Sequence, residues 1–413
     1  MTAILPDNLA KSATLRPDMS FLEVFRVFLQ LGLTSFGGPV AHIGFFRHEF
    51  VSRRRWVTDE QFAAWLALCQ FMPGPASSQL GFLIGLHRAG FRGALAAWVG
   101  FTLPSAIVLV VLALFGLQIA TPWSLALVQG LKLVAVAIVA HAVWGMWSAI
   151  CQQTSTRIIA LLGFALTMWL AGWIGQIGAI VGGAILGFVL LRATTKPTVA
   201  MTDLGTGVPR ALGTALLTLF LALLILLPWF AKETPALAMF DAFYRAGALV
   251  FGGGHVVLPL LESAVVETGL ISRDNFLVGY GLAQAVPGPL FTFAAWLGAL
   301  DPALPGWLGA LLALVAIFVP GLLLVYGMLP WWAQLQSIPV AFAIFSGINA
   351  AVVGVLAAAW VNPILTTSVT HWSYALIAII STAWLFLGKV APWKVVLLSA
   401  GLALGLHWVG LSP

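Results

Sequence analysis

Two short strings in the sequence join proline to glycine in a way that breaks a helix and leaves backbone hydrogen-bond donors free. Pro73-Gly74-Pro75 and Pro287-Gly288-Pro289 each interrupt an apolar run, with about 12 mostly apolar residues on either side. Flanks of that length cannot cross a bilayer alone. Proline lacks an N–H and disfavours helix in the residue before it, so each string should end one helix and open another, near Ala76 and Leu290. The N–H groups at such an opening have no helical partner and carry partial positive charge, which suits an anion. A plain proline kink is the alternative for either string taken singly. Both strings stand three residues after a glutamine, Gln70 and Gln284, and Gln79 follows the first.

Phe36-Gly37-Gly38-Pro39 and Phe251-Gly252-Gly253-Gly254 form a second pair. Glycine pairs either let helices approach closely or expose N–H groups in a turn. His42 and His255 fall just past these turns, where each could bridge helices or touch an anion. Lys132 lies well inside an apolar run. An ionisable residue there is costly unless paired or hydrated, so it is a candidate for offsetting an anion's charge. Arg26 and Arg245 have acids one turn away, Glu23 and Asp241, and read as local ion pairs. Cys69 and Cys151 give neither a disulfide framework nor a metal spacing. No H-E-x-x-H, G-x-S-x-G or Walker A string occurs, so the chain is expected to be no enzyme and to need no cofactor.

The elements that carry these residues follow from composition. Of 413 residues, 61% are hydrophobic and 8% charged, against about 25% charged in soluble domains. Thirty-two charges, 19 basic and 13 acidic, cannot coat a soluble globule of this size. The expected fold is an all-α integral membrane protein, since the long apolar runs lack the alternation of barrel strands. Its partner is a lipid bilayer, and a net charge of +6 spread along the chain gives no nucleic-acid footprint. Nine runs are long enough to be spanning candidates, from Ala94–Leu117 to Val395–Trp408. The regions around Phe21–Gly90 and Leu237–Leu300 are apolar but broken.

Those two regions match. Phe36-Gly37-Gly38 recurs as Phe251-Gly252-Gly253, 215 residues on, and Pro73-Gly74-Pro75 recurs at an offset of 214. Pro104 matches Pro320, and Gly130-Leu131-Lys132 matches Gly347-Ile348-Asn349. The expected organisation is a tail (1–19), a first repeat (20–192), a linker with one connecting helix (193–236) and a second repeat (237–413). Between its motifs the first copy carries Arg47, Glu49, Arg53, Arg54 and Arg55, whereas the second carries Glu262 and Glu267 and no base before Arg273. Cytoplasmic loops collect bases, so the matched loops are expected on opposite faces, as in an inverted-topology repeat. The motif regions are either re-entrant or fully spanning. Re-entry gathers most bases on the face of the N-terminus, the cytoplasm, and Arg47–Arg55 then reads as a gate or an electrostatic funnel.

Taken in order, these motifs resemble the chromate ion transporters of the long, two-domain type. The resemblance rests on Ser35-Phe36-Gly37-Gly38-Pro39 with His42 and Glu49-Phe50-Val51, and on Gln70-Phe71-Met72-Pro73-Gly74-Pro75 with Gln79. In the second half it rests on Phe251-Gly252-Gly253-Gly254, Val257, Pro259 and Gln284 through Phe291. It covers nearly the whole chain. Phe71-Met72 is bulkier than the pair expected there. The resemblance implies export of chromate, with sulfate as the related dianion, across the bacterial inner membrane. A homodimer is compatible with it. The alternatives are a transporter of another anion and a non-transporting membrane scaffold.

Overall fold

The computed structural model describes residues 19–116, 122–170, 172–192, 207–388 and 390–409. The tail before Met19, linker residues 193–206 and Lys389 lie outside them. Among the described residues every regular element is helical.

α1 (Phe21–Thr34) starts at Ser20, whose hydroxyl accepts from the Leu22 N–H. The chain turns at Ser35 through Gly37 (φ +109°) and Gly38 (φ +76°), values that only glycine adopts cheaply. α2 (Gly38–Phe46) and the π-helical turns Arg47–Arg53 then double back on α1. The rings of Phe28 and Phe50 stack at 5.0 Å, whereas a straight helix between them would hold them about 33 Å apart. α3 (Asp59–Phe71) opens on a Thr58–Gln61 capping box and runs inward to Pro73-Gly74-Pro75. α4 (Ala76–Val111) returns along α3, with the Trp65 and His87 rings 5.2 Å apart. At Ala89 and Gly90 its backbone leaves helical geometry, and the backbones of Gly85 and Gly93 touch. Residues 91–116 therefore fold back and cross the molecule. The first half thus contains two hairpins that open at one rim, where the Arg88 guanidinium lies over Trp56 and donates to the Met19 sulfur.

α5 (Pro122–Ile150), α6 (Thr154–Trp169), α7 (Trp173–Leu191) and α8 (Arg210–Phe230) lead to a second set of hairpins. α9 (Pro235–Ala248) meets Gly252 and Gly253, and α10 (Val257–Leu261), with its π-helical extension Glu262–Val266, packs back against it. α11 (Arg273–Ala285) runs to Pro287-Gly288-Pro289, and α12 (Phe293–Leu300) returns beside it, with Trp296 donating to the Asn275 carbonyl. α13 (Gly306–Met328) then crosses. Short α14 (Trp332–Gln336), long α15 (Pro339–Ala359), short α16 (Thr366–Ser368), α17 (Trp372–Gly388) and α18 (Pro392–Trp408) complete the chain.

The halves meet through matched contacts. Residues 91–116 run antiparallel to α13: Phe91 stacks on Tyr326, Trp98 meets Phe318, and Leu114 packs at Gly306. The second pair of hairpins therefore opens at the opposite rim. At the tips the Gly74 N–H donates to the Val250 carbonyl (2.8 Å), and the Gly288 N–H donates to the Ser35 carbonyl (3.1 Å). Glycine matches glycine in that pair of bonds, and Ser35 matches Val250. Each half also lends its last helices to the other: α6 and α7 pack on α15, and α17 and α18 pack on α5.

Among the described residues, six helical stretches are long and apolar enough to cross a membrane, including residues 123–150, 306–336 and 339–368. Three of the runs expected to span are helices of only 16 or 17 residues, α6, α17 and α18. At about 25 Å they fall short of a full crossing, because each is one arm of a hairpin laid against a longer helix.

Charge divides between the rims. Arg53, Arg54, Arg55, Arg88 and Arg210 lie at the first, whereas Glu262, Glu267, Asp274 and Asp301 lie at the second with Arg273. Lys132, on α5, reaches across to Asp274 at the start of α11 (Nζ to Oδ1, 2.7 Å). The lysine side chain is 10% exposed and the aspartate 65%. Asp274→Asn is expected to lower stability by about 1–2 kcal/mol, below the 3–5 of a fully buried broken pair because water reaches the aspartate side. Lys132→Met in that background is expected to recover most of the loss. Thermal unfolding in detergent checks both, and an Asp274→Asn protein as stable as wild type refutes the pairing argument.

Candidate functional site

Three hairpin tips, together with Gln284 just before the fourth, border one cavity of about 1060 Å³. Its floor is backbone. Gly37, Gly252 (φ +76°) and Gly253 (φ +145°) line it in left-handed turns, and the ring of Pro39 lies against Gly254. Among the described residues, no protein group accepts from the N–H groups of Gly37, Gly38, Gly252 or Gly253. They stand at the start of α2 and of the 3₁₀ turn Gly254–Val256, where backbone donors lack helical partners.

The polar side chains are three amides, Gln70, Gln284 and Asn349, and two imidazoles, His141 and His255. Gln284 is 7% exposed, and its Nε2 has no partner. Asn349 Oδ1 is likewise buried and unpartnered. His255 Nδ1 shares a 2.8 Å hydrogen bond with the Tyr280 hydroxyl. No Lys, Arg, Asp or Glu lines the cavity among the described residues. Apolar groups make the remaining walls, notably Trp144, Met146 and Phe386.

Of the residues expected here, Gly37, Pro39, Gln70 and Gly74 border the cavity from the first half. Gly252, Gly253, Gly254, His255 and Gln284 border it from the second. The others hold the tips in shape instead. Gln79 donates from Nε2 to the carbonyls of Pro73 and Gly321, both at 2.9 Å, and so ties the first tip to α13. His42 is fully buried, with Nε2 3.2 Å from the Ser35 carbonyl and its ring edge-on to Phe101. It braces the Gly37 turn from behind. Gly38, Pro73, Pro75, Pro287, Gly288 and Pro289 shape the backbone without lining the space. Lys132 is the clearest departure, since Asp274 holds it away from the cavity.

The arginine loop also differs from a free basic funnel. Arg47 is paired with Asp59 through two 2.9 Å bonds, and Glu49 accepts from both Arg53 and Arg54. Burial alone would favour the neutral Glu49 acid, but the two guanidiniums outweigh it and hold the carboxyl below its usual range. Arg55, in a left-handed conformation (φ 52°), has no ion pair among the described residues. The sequence singled out neither His141 nor Asn349 for the site. The available signal was Asn349's place opposite Lys132 in the repeat.

The chromate transporter family model matches this chain twice, over residues 22–188 and 237–406. The chain belongs to the chromate transporter family. Both matches contain a Gly-Gly turn, a Pro-Gly-Pro tip and a long crossing helix, so the duplication of sequence and the duplication of hairpins coincide. A probable chromate transport protein of Synechococcus elongatus is 28% identical over 95% of this chain and 97% of its own length. The chromate transport protein of Cupriavidus metallidurans is 27% identical over 96% of both chains. That of Pseudomonas aeruginosa is 27% identical over 86% of this chain and 83% of its own. No solved structure matches the chain. This family member is a multi-pass membrane protein and a transporter rather than an enzyme.

Proposed function

We propose that the protein exports chromate, or a tetrahedral oxyanion like it, across the bacterial inner membrane by alternating access, and so confers chromate resistance. The observation that carries this reading is the meeting of hairpins from both halves around one cavity bordered by glycine turns with unpaired N–H groups. Donors of that kind grip an anion without a fixed countercharge, so binding stays weak enough for release.

Antiparallel packing of the matched halves supports an inverted repeat, in which the halves exchange conformations to close one rim and open the other. The α5 residues on the cavity wall run from Ile138 to Ile150, the end nearer the arginine rim. We assign that rim, and the N-terminus, to the cytoplasm because bases collect there. The conformation described is then the one that loads substrate from inside. An inside-negative potential drives a dianion outward by about 4.6 kcal/mol per 100 mV, twice the value for one charge.

The test is flux from proteoliposomes at controlled membrane potential. Chromate efflux is expected to rise with internal negative potential, to be competed by sulfate, and to fall about tenfold in Gln284→Leu. Equal competition by organic acids favours a broader anion transporter. Absence of chromate, sulfate and molybdate flux, with a stable copurifying partner, favours the scaffold reading.

A further inference from the structure

Two histidines border the cavity from opposite halves. His141 comes from α5 of the first half, and His255 from the Gly-Gly turn of the second. Duplication does not impose them, since Val40 stands opposite His255 and alanines (Ala357, Ala358) stand opposite His141. The groups around them decide what they can do. On α11, Tyr280 occupies Nδ1 of His255, which leaves Nε2 free for a proton or an anion. On α17, the ring of Phe386 meets His141 edge-on at 5.1 Å, and His141 has no hydrogen bond among the described residues. The hairpin tips bring Gln70, Gln284 and the Cys69 thiol, and α15 brings Asn349. On α18, Lys394 lies over the Trp393 ring, which touches Phe36 at the cavity's edge. It does not line the space.

Among the described residues, imidazole is therefore the only group lining the cavity whose ordinary titration falls near neutral pH. A dianion placed beside a neutral imidazole favours the imidazolium, and the cavity offers no other positive side chain. We propose that His141 and His255 form a proton-binding pair, and that the oxyanion enters the cavity together with a proton taken up on one of them. This rests on the transport reading and names its co-substrate. The proton comes from the solvent on the loading side, moves with the anion and leaves with it, so no bond to the anion is made or broken. One proton per dianion halves the net charge moved.

The test counts protons. The purified full-length chain in detergent is titrated with sulfate, a dianion that does not itself protonate near neutral pH. Binding heats are compared at pH 7.5 in two buffers of different ionisation enthalpy. About one proton taken up per sulfate is expected, with affinity falling about tenfold per pH unit above neutrality. In the His141→Gln/His255→Gln protein, uptake is expected to vanish and the pH slope to flatten. Sulfate binding without proton uptake in wild type overturns the proposal and leaves the transport reading standing. Undiminished uptake in the double variant overturns the assignment to these histidines. Failure of wild type to bind sulfate, molybdate or chromate overturns both. The wild-type count needs no variant, so a misfolded mutant cannot hide the answer.

Discussion

Gly74→Val and Gly288→Val are each expected to abolish transport and to destabilise the protein by about 2–6 kcal/mol, combining backbone strain with overpacking. Both glycines have positive φ, +127° and +111°, a region that a β-branched residue scarcely enters. A Cβ on Gly74 would fall 2.7 Å from Gln79 Nε2 and 3.0 Å from the Gly321 Cα. One on Gly288 would fall 2.7 Å from Ser105 Oγ. Gly321 and Ser105 are themselves matched positions in the two halves, so the same mutation should produce the same injury twice. The tip must move away from the partner half, and the cross-bond to Val250 or Ser35 goes with it. Chromate flux and thermal unfolding in detergent provide the check. A Gly288→Val protein that transports normally shows that the tips do not need their reciprocal contact.

The second large effect is expected at Gly347. A Cβ there would run into the Gly183 carbonyl and lie 2.6 Å from the Gly187 Cα. These obstacles are helix backbone and cannot swing aside as a flexible side chain would. Gly347→Val is therefore expected to push α7 off α15 and to cost about 3 kcal/mol or more. Gly182→Ala, one residue from Gly183, is the control, because nothing lies within 4 Å of its Cβ. It should leave stability unchanged or raise it slightly, through better helix propensity. If both substitutions behave alike in thermal unfolding, close packing at this crossing does not hold the lent helices in place.

The breaks at the two Pro-Gly-Pro strings and at Gly37 and Gly252 were legible in the sequence, because proline and paired glycine act locally on backbone geometry. The turn at Ala89 and Gly90 was legible only as the boundary between the broken region ending at Gly90 and the run from Ala94, flanked by Arg88 and Arg92. That the chain reverses there shows in the non-helical backbone of Ala89 and Gly90 and in the contact of Gly85 with Gly93. The lending of α6 and α7 to α15 was also out of reach. It leaves no mark beyond small residues such as Gly183 and Gly187, which any close helix pair would use.

Lys132 was rightly singled out as a costly buried charge, but its answer is Asp274, 142 residues away. Gln79 shows the same limit. Its residue type suggests a ligand, whereas its amide nitrogen is taken up by the carbonyls of Pro73 and Gly321. His141 shows the converse, a lone histidine in a long apolar helix whose importance depends on what stands opposite.

The division of charge between the rims has a consequence for biogenesis. If the two halves are inverted copies, as proposed above, they would present similar apolar surfaces to lipid whichever way up the molecule is placed. Its apolar face therefore carries almost no instruction about orientation. That decision is left to a handful of arginines, several of them in one short loop, acting against a few carboxylates at the far rim. On the inverted-repeat reading, a change in those polar ends would alter which way up the chain is inserted.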